Sequence, residues 1–205
     1  KAFWLTYDKT LDDWTKGYLG DTPEKADKFA INTENSKYNT GYSFASEAPN
    51  KSIPLFETLL NDDTIIDAIR KVRFTIIPNR NINQISLFAD TSITFQSLAF
   101  NGKIVPKDIS GTVFSNRKEN KLLRYYVADN DSLEVSYTIK KEIPVSFTVL
   151  EYSFDLLDNN QFTINKRPKH TMPKPFVITD AIVIKNTIDI NTLIKYDSVK
   201  PLKIE

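Results

Sequence analysis

The chain contains no cysteine. This excludes disulfide bridges, thiolate metal sites and cysteine nucleophiles together, and it leaves the compartment open, because extracytoplasmic bacterial proteins also do without cysteine. Histidine occurs once, as His170. No histidine pair therefore exists for zinc, no HExxH spacing occurs, and a serine triad would have to draw on this same residue without a GxSxG elbow before a helix. Five glycines in 205 residues leave little material for phosphate-cradling loops. Neither the GxxxxGKS/T nor the GxGxxG pattern is present, which argues against nucleotide chemistry. No window approaches the roughly 18 apolar residues that a membrane-spanning helix needs, and no charged-then-apolar secretion signal occurs, so no membrane insertion is expected of this stretch. Charge of one sign is lacking too: 27 Lys and Arg oppose 26 Asp and Glu, a net +1. With no basic block to track a phosphate backbone, nucleic acid is not an expected partner.

What is present is the composition of a folded globule, 40% hydrophobic with 12% aromatic residues. The length suits a single domain over 1–205, with 21–60 mostly loop and 191–205 a lysine-rich tail. The chain opens on Lys1 and its one methionine is Met172, which reads as a fragment of a longer polypeptide.

The stretch Ile143 to Leu157, IPVSFTVLEYSFDLL, organises the rest. Val145, Phe147 and Val149 share one face at period two. Leu150, Tyr152, Phe154 and Leu156 continue one residue out of phase, which predicts a central strand with a bulge at Val149 and Leu150. Before it, Ala2 to Tyr7 alternates as a strand. A short helix follows, capped by Asp8 or Thr10, carrying Leu11, Trp14 and Tyr18 and stopped by Gly20, with Trp14 packing it onto the sheet. Thr22-Pro23-Glu24 reads as a second helix start. Leu55, Leu59 and Leu60 read as one helical turn or an edge strand.

Val72, Phe74 and Ile76, then Ile85 and Leu87, then Ile93 to Phe100 with an irregularity at Gln96-Ser97, alternate as strands. Asn101-Gly102 is a type I′ hairpin signal that should return Ile104 and Val105 beside Leu98 and Phe100. Leu122 to Val127 and Leu133 to Ile139 read as a further hairpin, and Thr179 to Ile190 as the last strand. The fold class expected is mainly β: an antiparallel β-sandwich with a short N-terminal helix and a long proline-containing crossing segment.

The candidate chemistry is sparse. Asp129-Asn130-Asp131 and the run Asp155 to Asn160 offer oxygen ligands, but without the glycine and distal glutamate of a calcium loop they read as solvated turns. Glu151 and Asp155 are close enough for a glycosidase pair, yet read as polar residues on the outward face of a half-buried strand. Trp4, Trp14 and the tyrosines suit either a sugar-stacking platform or core packing. His170 reads as a structural or surface residue. No catalytic residue, cofactor site or metal site is assigned.

Several stretches together resemble the C-terminal, non-catalytic part of large membrane-bound zinc peptidases of metallopeptidase family 28. They are FWLTYDKTLDDWTKGYLG, KVRFTIIPNRNINQISLF, SLAFNGK, PVSFTVLEYSF and RPKHTMPKPFVITDAIVIKNT, the most specific part being Arg167-Pro168 with Met172-Pro173 and Asp180. The resemblance implies a parent whose zinc ligands and catalytic glutamate lie in an N-terminal domain, followed by membrane helices and then this region outside the cytoplasm, periplasmic or lumenal. No position here matches those ligand motifs, so zinc is expected in the parent's catalytic domain and no cofactor in this chain. The implied partners are the catalytic domain of the same polypeptide or a second copy of the chain. A free-standing carbohydrate- or protein-binding module is the alternative.

Arg167 to Asp180 is the candidate segment. Prolines 168, 173 and 175 prevent both a helix and a central strand, so the backbone should run extended across the sandwich until Val177 starts the last strand. In one reading Met172 and Phe176 plug the open end of the core while Arg167 binds carbonyls or Asp180. In the other, the prolines hold Lys169, His170 and Lys174 outward as a docking surface.

Overall fold

A computed structural model describes residues 1–29, 40–128 and 132–193. The chain is mainly β, with antiparallel sheets and one short α-helix. It divides into two compact units, Lys1–Ile53 with Ser153–Ile182, and Pro54–Tyr152 with Val183–Glu205.

The first unit holds strand β1 (Ala2–Thr6), helix α1 (Asp13–Leu19), the two-residue strand β2 (Glu24–Lys25), a 3-10 turn at Ala26–Phe29 and strand β3 (Phe44–Ala48). β3 lies between the other two strands, pairing antiparallel from Ala2↔Ala48 to Thr6↔Phe44 on one side and through Glu24↔Ala45 on the other. Helix α1 starts at Asp12, whose carboxylate accepts from the Thr15 N–H at 2.7 Å. It stops at Gly20, where φ is +81° and the N–H donates to Lys16 O. The expected stop is therefore found, but the cap is neither Asp8 nor Thr10: Asp8 is engaged with Thr6 two residues before it.

Thr22-Pro23-Glu24 does not start a helix. Glu24 and Lys25 pair with β3, and the buried Ala26 extends the contact by donating to Ser43 O. Within 21–60, expected as mostly loop, the described residues carry β2, the 3-10 turn, β3 and the start of the next strand. The sequence FASEA hides β3, because the residue it buries completely is only an alanine, Ala45.

The second unit is the sandwich. A five-stranded sheet runs in the order β4 (Glu57–Ile66), β5 (Ile69–Ile77), β10 (Leu133–Lys140), β7 (Ser97–Phe100) and β8 (Lys103–Ile104). A four-stranded sheet runs β12 (Ile182–Asp189), β11 (Ser146–Ser153), β6 (Gln84–Phe88) and β9 (Lys121–Tyr126). Side chains from the two sheets interlock around Phe147 on β11, whose ring lies 5.3 Å from Phe74 on β5 and 5.6 Å from Tyr137 on β10. Phe95 closes the cluster at 5.6 Å from Tyr137. All four rings are fully buried, and the apolar area they remove from water is the main force joining the sheets.

Leu59 and Leu60 lie in an edge strand, β4, one of the two expected alternatives. The Asn101-Gly102 turn forms as expected, with φ of +46° and +72° and the pairs Ala99↔Ile104 and Phe100↔Lys103. The irregularity at Gln96-Ser97 is real: Phe95 makes an isolated bridge to Val113, and β7 begins only at Ser97.

Two expectations fail here. The segments 122–127 and 133–139 do not form a hairpin, because β9 pairs with β6 while β10 inserts between β5 and β7 in the other sheet. On its β6 side β11 shows no bulge, since it pairs there without a shift from Thr148↔Phe88 to Tyr152↔Gln84. The run from Val149 to Ser153 is buried on both faces, and so its apolar pattern stops alternating. β11 does lie inside its sheet between β12 and β6, and Phe147 is in the core.

Candidate functional site

The proline-containing segment belongs to the first unit, where it follows a path set by helix α1 and strand β1. The Trp14 indole Nε1–H donates to Asn165 O at 2.9 Å, and the Asn165 N–H donates to Tyr18 Oη at 2.7 Å. Trp14 and Tyr18 meet at 5.4 Å with their planes at 67°, and Trp4 of β1 touches Tyr18 at 5.6 Å and Phe162 at 6.0 Å. Tyr18 and Trp4 therefore join the helix to the sheet, whereas Trp14, expected in that role, packs against the stretch at 165–167.

Arg167 continues this layer. Its guanidinium carbon lies 4.4 Å from the centroid of the Trp14 ring, and its Nη2 donates to Asp180 Oδ1 in a partly shielded ion pair. Asp180 is at φ +53°, and its carbonyl accepts from Leu156 N–H. The proposed Arg167–Asp180 contact is thus present and closes the segment on itself. Between its ends, Thr171 bonds back to Pro168 O, and the Lys174 ammonium donates to Tyr7 O at 2.6 Å. The carboxyl of Asp12 is held below its ordinary value by the hydrogen bonds from Thr15, and the charges of Arg167 and His170 act in the same direction.

This geometry sorts the seven sequence-derived residues. Arg167, Asp180 and Lys174 are inward fasteners, so Lys174 is not part of an outward basic face. Lys169 and His170 are exposed. Met172 and Phe176 are 76% and 67% exposed, so they do not plug a core. The last strand begins at Ile182 and not at Val177; Phe176 at φ +64° and Asp180 at φ +53° interrupt the extended backbone before it. Within its own unit the segment is a loop fastened to α1 and to Tyr7, just after β1.

Glu151 is not on an outward face: it is completely buried in β11. Burial raises its carboxyl above the ordinary value, which the charge of Arg80 and the Phe56 backbone offset in part. Asp155 instead organises a turn, accepting from the Asn159 side chain at 2.9 Å. Asp129, Asn130 and Asp131 lie outside the described residues. Among the described residues, no three His, Asp or Glu side chains converge as a metal site would require. Also among them, no helix is long and apolar enough to cross a membrane.

Trp14, Tyr18 and Asn165 were not assigned to the segment from sequence. Tyr18 and Asn165 are 147 residues apart, and their contact is between a ring hydroxyl and the main chain, which leaves no residue pattern to read. Comparison with known protein families, with curated proteins and with solved structures finds no match for this chain.

Proposed function

We propose that this chain is a non-catalytic accessory domain of a membrane-anchored, zinc-dependent metallopeptidase of the aminopeptidase type, facing the extracytoplasmic side. Its docking surface for the parent's catalytic domain is the outer side of the segment 167–180. The resemblance of the motifs around Arg167-Pro168, Met172-Pro173 and Asp180 supplies the family. The observation that carries the docking role is the exposure of Met172 and Phe176 beside Lys169 and His170 on a backbone fastened at Arg167, Thr171, Lys174 and Asp180.

Large apolar side chains held outward on a fastened loop lose little conformational entropy on binding, and methionine and phenylalanine are enriched at protein interfaces. Zinc and the catalytic groups belong to the parent's other domain, and this chain contributes shape and contact. Replacing Lys169, His170, Met172 and Phe176 together with alanine in the full-length enzyme tests the reading. The expected result is impaired peptidase activity or assembly, with the melting temperature of the separate chain unchanged. Full activity and normal assembly in that variant would overturn the docking role. The sequence encoded upstream of Lys1 separates this reading from a free-standing binding module, since membrane spans preceded by a zinc-peptidase domain are expected there.

A further inference from the structure

Beside the fastened segment, helix α1 forms one wall of a pocket of ≈ 270 Å³ lined by Asp13, Trp14, Gly17, Tyr18, Thr163 and Asn165. We infer that this pocket is a subsite for one neutral sugar ring of a glycan. The inference rests on the pocket's own residues and does not depend on the peptidase reading.

The size is just below the roughly 300 Å³ at which pockets for drug-sized ligands begin, which suits one ring and not a chain of them. The lining has the mixed chemistry that a pyranose needs. Two half-buried aromatic rings meeting at 67° are among its walls, and the apolar surface left on them, with one side of Trp14 taken by Arg167, is what the C–H face of a sugar would meet. Around them stand an exposed carboxylate, a hydroxyl and a carboxamide to meet its hydroxyl groups. The rings are held in place by the main chain of Asn165, which accepts from the Trp14 indole and donates to the Tyr18 hydroxyl. This leaves the Asn165 side chain outside both contacts. Asp13 is fully exposed and meets Lys16 at 3.9 Å, a pairing loose enough to exchange for a ligand hydroxyl.

Gly17 is the second, independent observation. Gly20, Gly102 and Gly111 all have positive φ, a backbone that requires glycine or strains other residues. Gly17 does not: it sits inside a seven-residue helix, where glycine is unfavourable, and a Cβ built there meets nothing within 4 Å. What the missing side chain leaves open is the pocket beside Trp14. A residue that weakens the helix with no backbone reason for doing so is best explained by the space it keeps clear.

The test is a titration of the 205-residue chain, uniformly labelled with nitrogen-15, with methyl glycosides of glucose, galactose, mannose and N-acetylglucosamine, followed through the indole N–H of Trp14. Trp4 is the one other tryptophan, so the signal is assigned by comparison with Trp4→Phe. At least one glycoside should shift the Trp14 resonance saturably with millimolar affinity, as expected for a single-ring site. Gly17→Leu, whose side chain enters open space, should weaken binding ten-fold or more without lowering the melting temperature. Asn165→Ala, which keeps both main-chain contacts, should weaken it as well and stands in if Gly17→Leu does not fold. No saturable shift with any of the four glycosides would overturn the inference. So would a shift that both variants leave intact, because the sugar would then be bound elsewhere.

Discussion

The guanidinium of Arg167 covers the ring of Trp14 at 4.4 Å while its Nη2 holds the carboxylate of Asp180. One side chain thus couples the helix of the first unit to both ends of the proline-containing segment. The arrangement needs a planar cation, because stacking and directed hydrogen bonding are made at once.

Arg167→Ala should therefore destabilise the chain by about 1.5–3 kcal/mol, the range for hydrogen bonds to charged groups with little solvent screening. Arg167→Lys should recover only part of this, since an ammonium keeps the charge but not the planar fork. Urea denaturation of the three proteins measures the order. A lysine variant as stable as the original would show that charge alone matters here.

Phe147 and Met172 should behave oppositely on truncation. Phe147 is fully buried between the two sheets, so Phe147→Ala should cost about 3–5 kcal/mol. Met172 is exposed, and Met172→Ala should stay within about 0.5 kcal/mol of the original. Thermal melts of both variants check the pair, and a large loss at Met172 would mean that the residue is packed after all.

Glu151 gives the sandwich a pH dependence of definite sign. Glu151 is completely buried, and this burial raises its pKa above the ordinary 4.5 against the smaller opposing effects of the Arg80 charge and the Phe56 backbone. Below 4.5 the group is neutral in both folded and unfolded chains and imposes no penalty. As pH rises through 4.5 the unfolded chain ionises first, so the contribution to stability declines until the folded pKa is passed. Glu151→Gln should remove this part of the decline. Urea midpoints measured on both sides of pH 4.5 are the check, and parallel curves for the two proteins would contradict the assignment.

Asp12 should act in the other direction. Its carboxyl is depressed below the ordinary 3.8 by the Thr15 hydrogen bonds, so its contribution is present above that value and is lost as pH falls through the folded pKa. Asp12→Ala should cost about 1 kcal/mol at neutral pH, as typical N-caps do. Asp12→Asn, which still accepts the hydrogen bond, should lose less. Circular dichroism melts at neutral and acid pH separate the two variants.

The amino-acid sequence by itself determined the class of the fold and its local turns. Alternating β-branched and aromatic residues in β5, β10 and β11 could satisfy their backbones only as strands with buried faces. Asn101-Gly102 specified its turn because both residues must take positive φ. Gly20 likewise ended α1 where it was expected to. These are outcomes of forces acting within a few residues, and they are legible for that reason. The partner of each strand was not. β9 and β10 are neighbours in sequence, yet they entered different sheets, because burial of apolar area in the core does not depend on sequence proximity.

The apparent phase slip at Val149 and Leu150 likewise had a tertiary cause. A strand covered on both faces has no polar side, so its pattern carries no register information. At the candidate site, the bond of Arg167 to Asp180 was inferable from charge and short separation. The turning outward of Met172 and Phe176, the inward turn of Lys174 and the pocket beside Gly17 were decided by contacts to Tyr7, Trp14 and Tyr18. Those residues lie far away in the chain and become neighbours only when α1 and β1 have packed, and only then does it matter which side of the segment faces solvent.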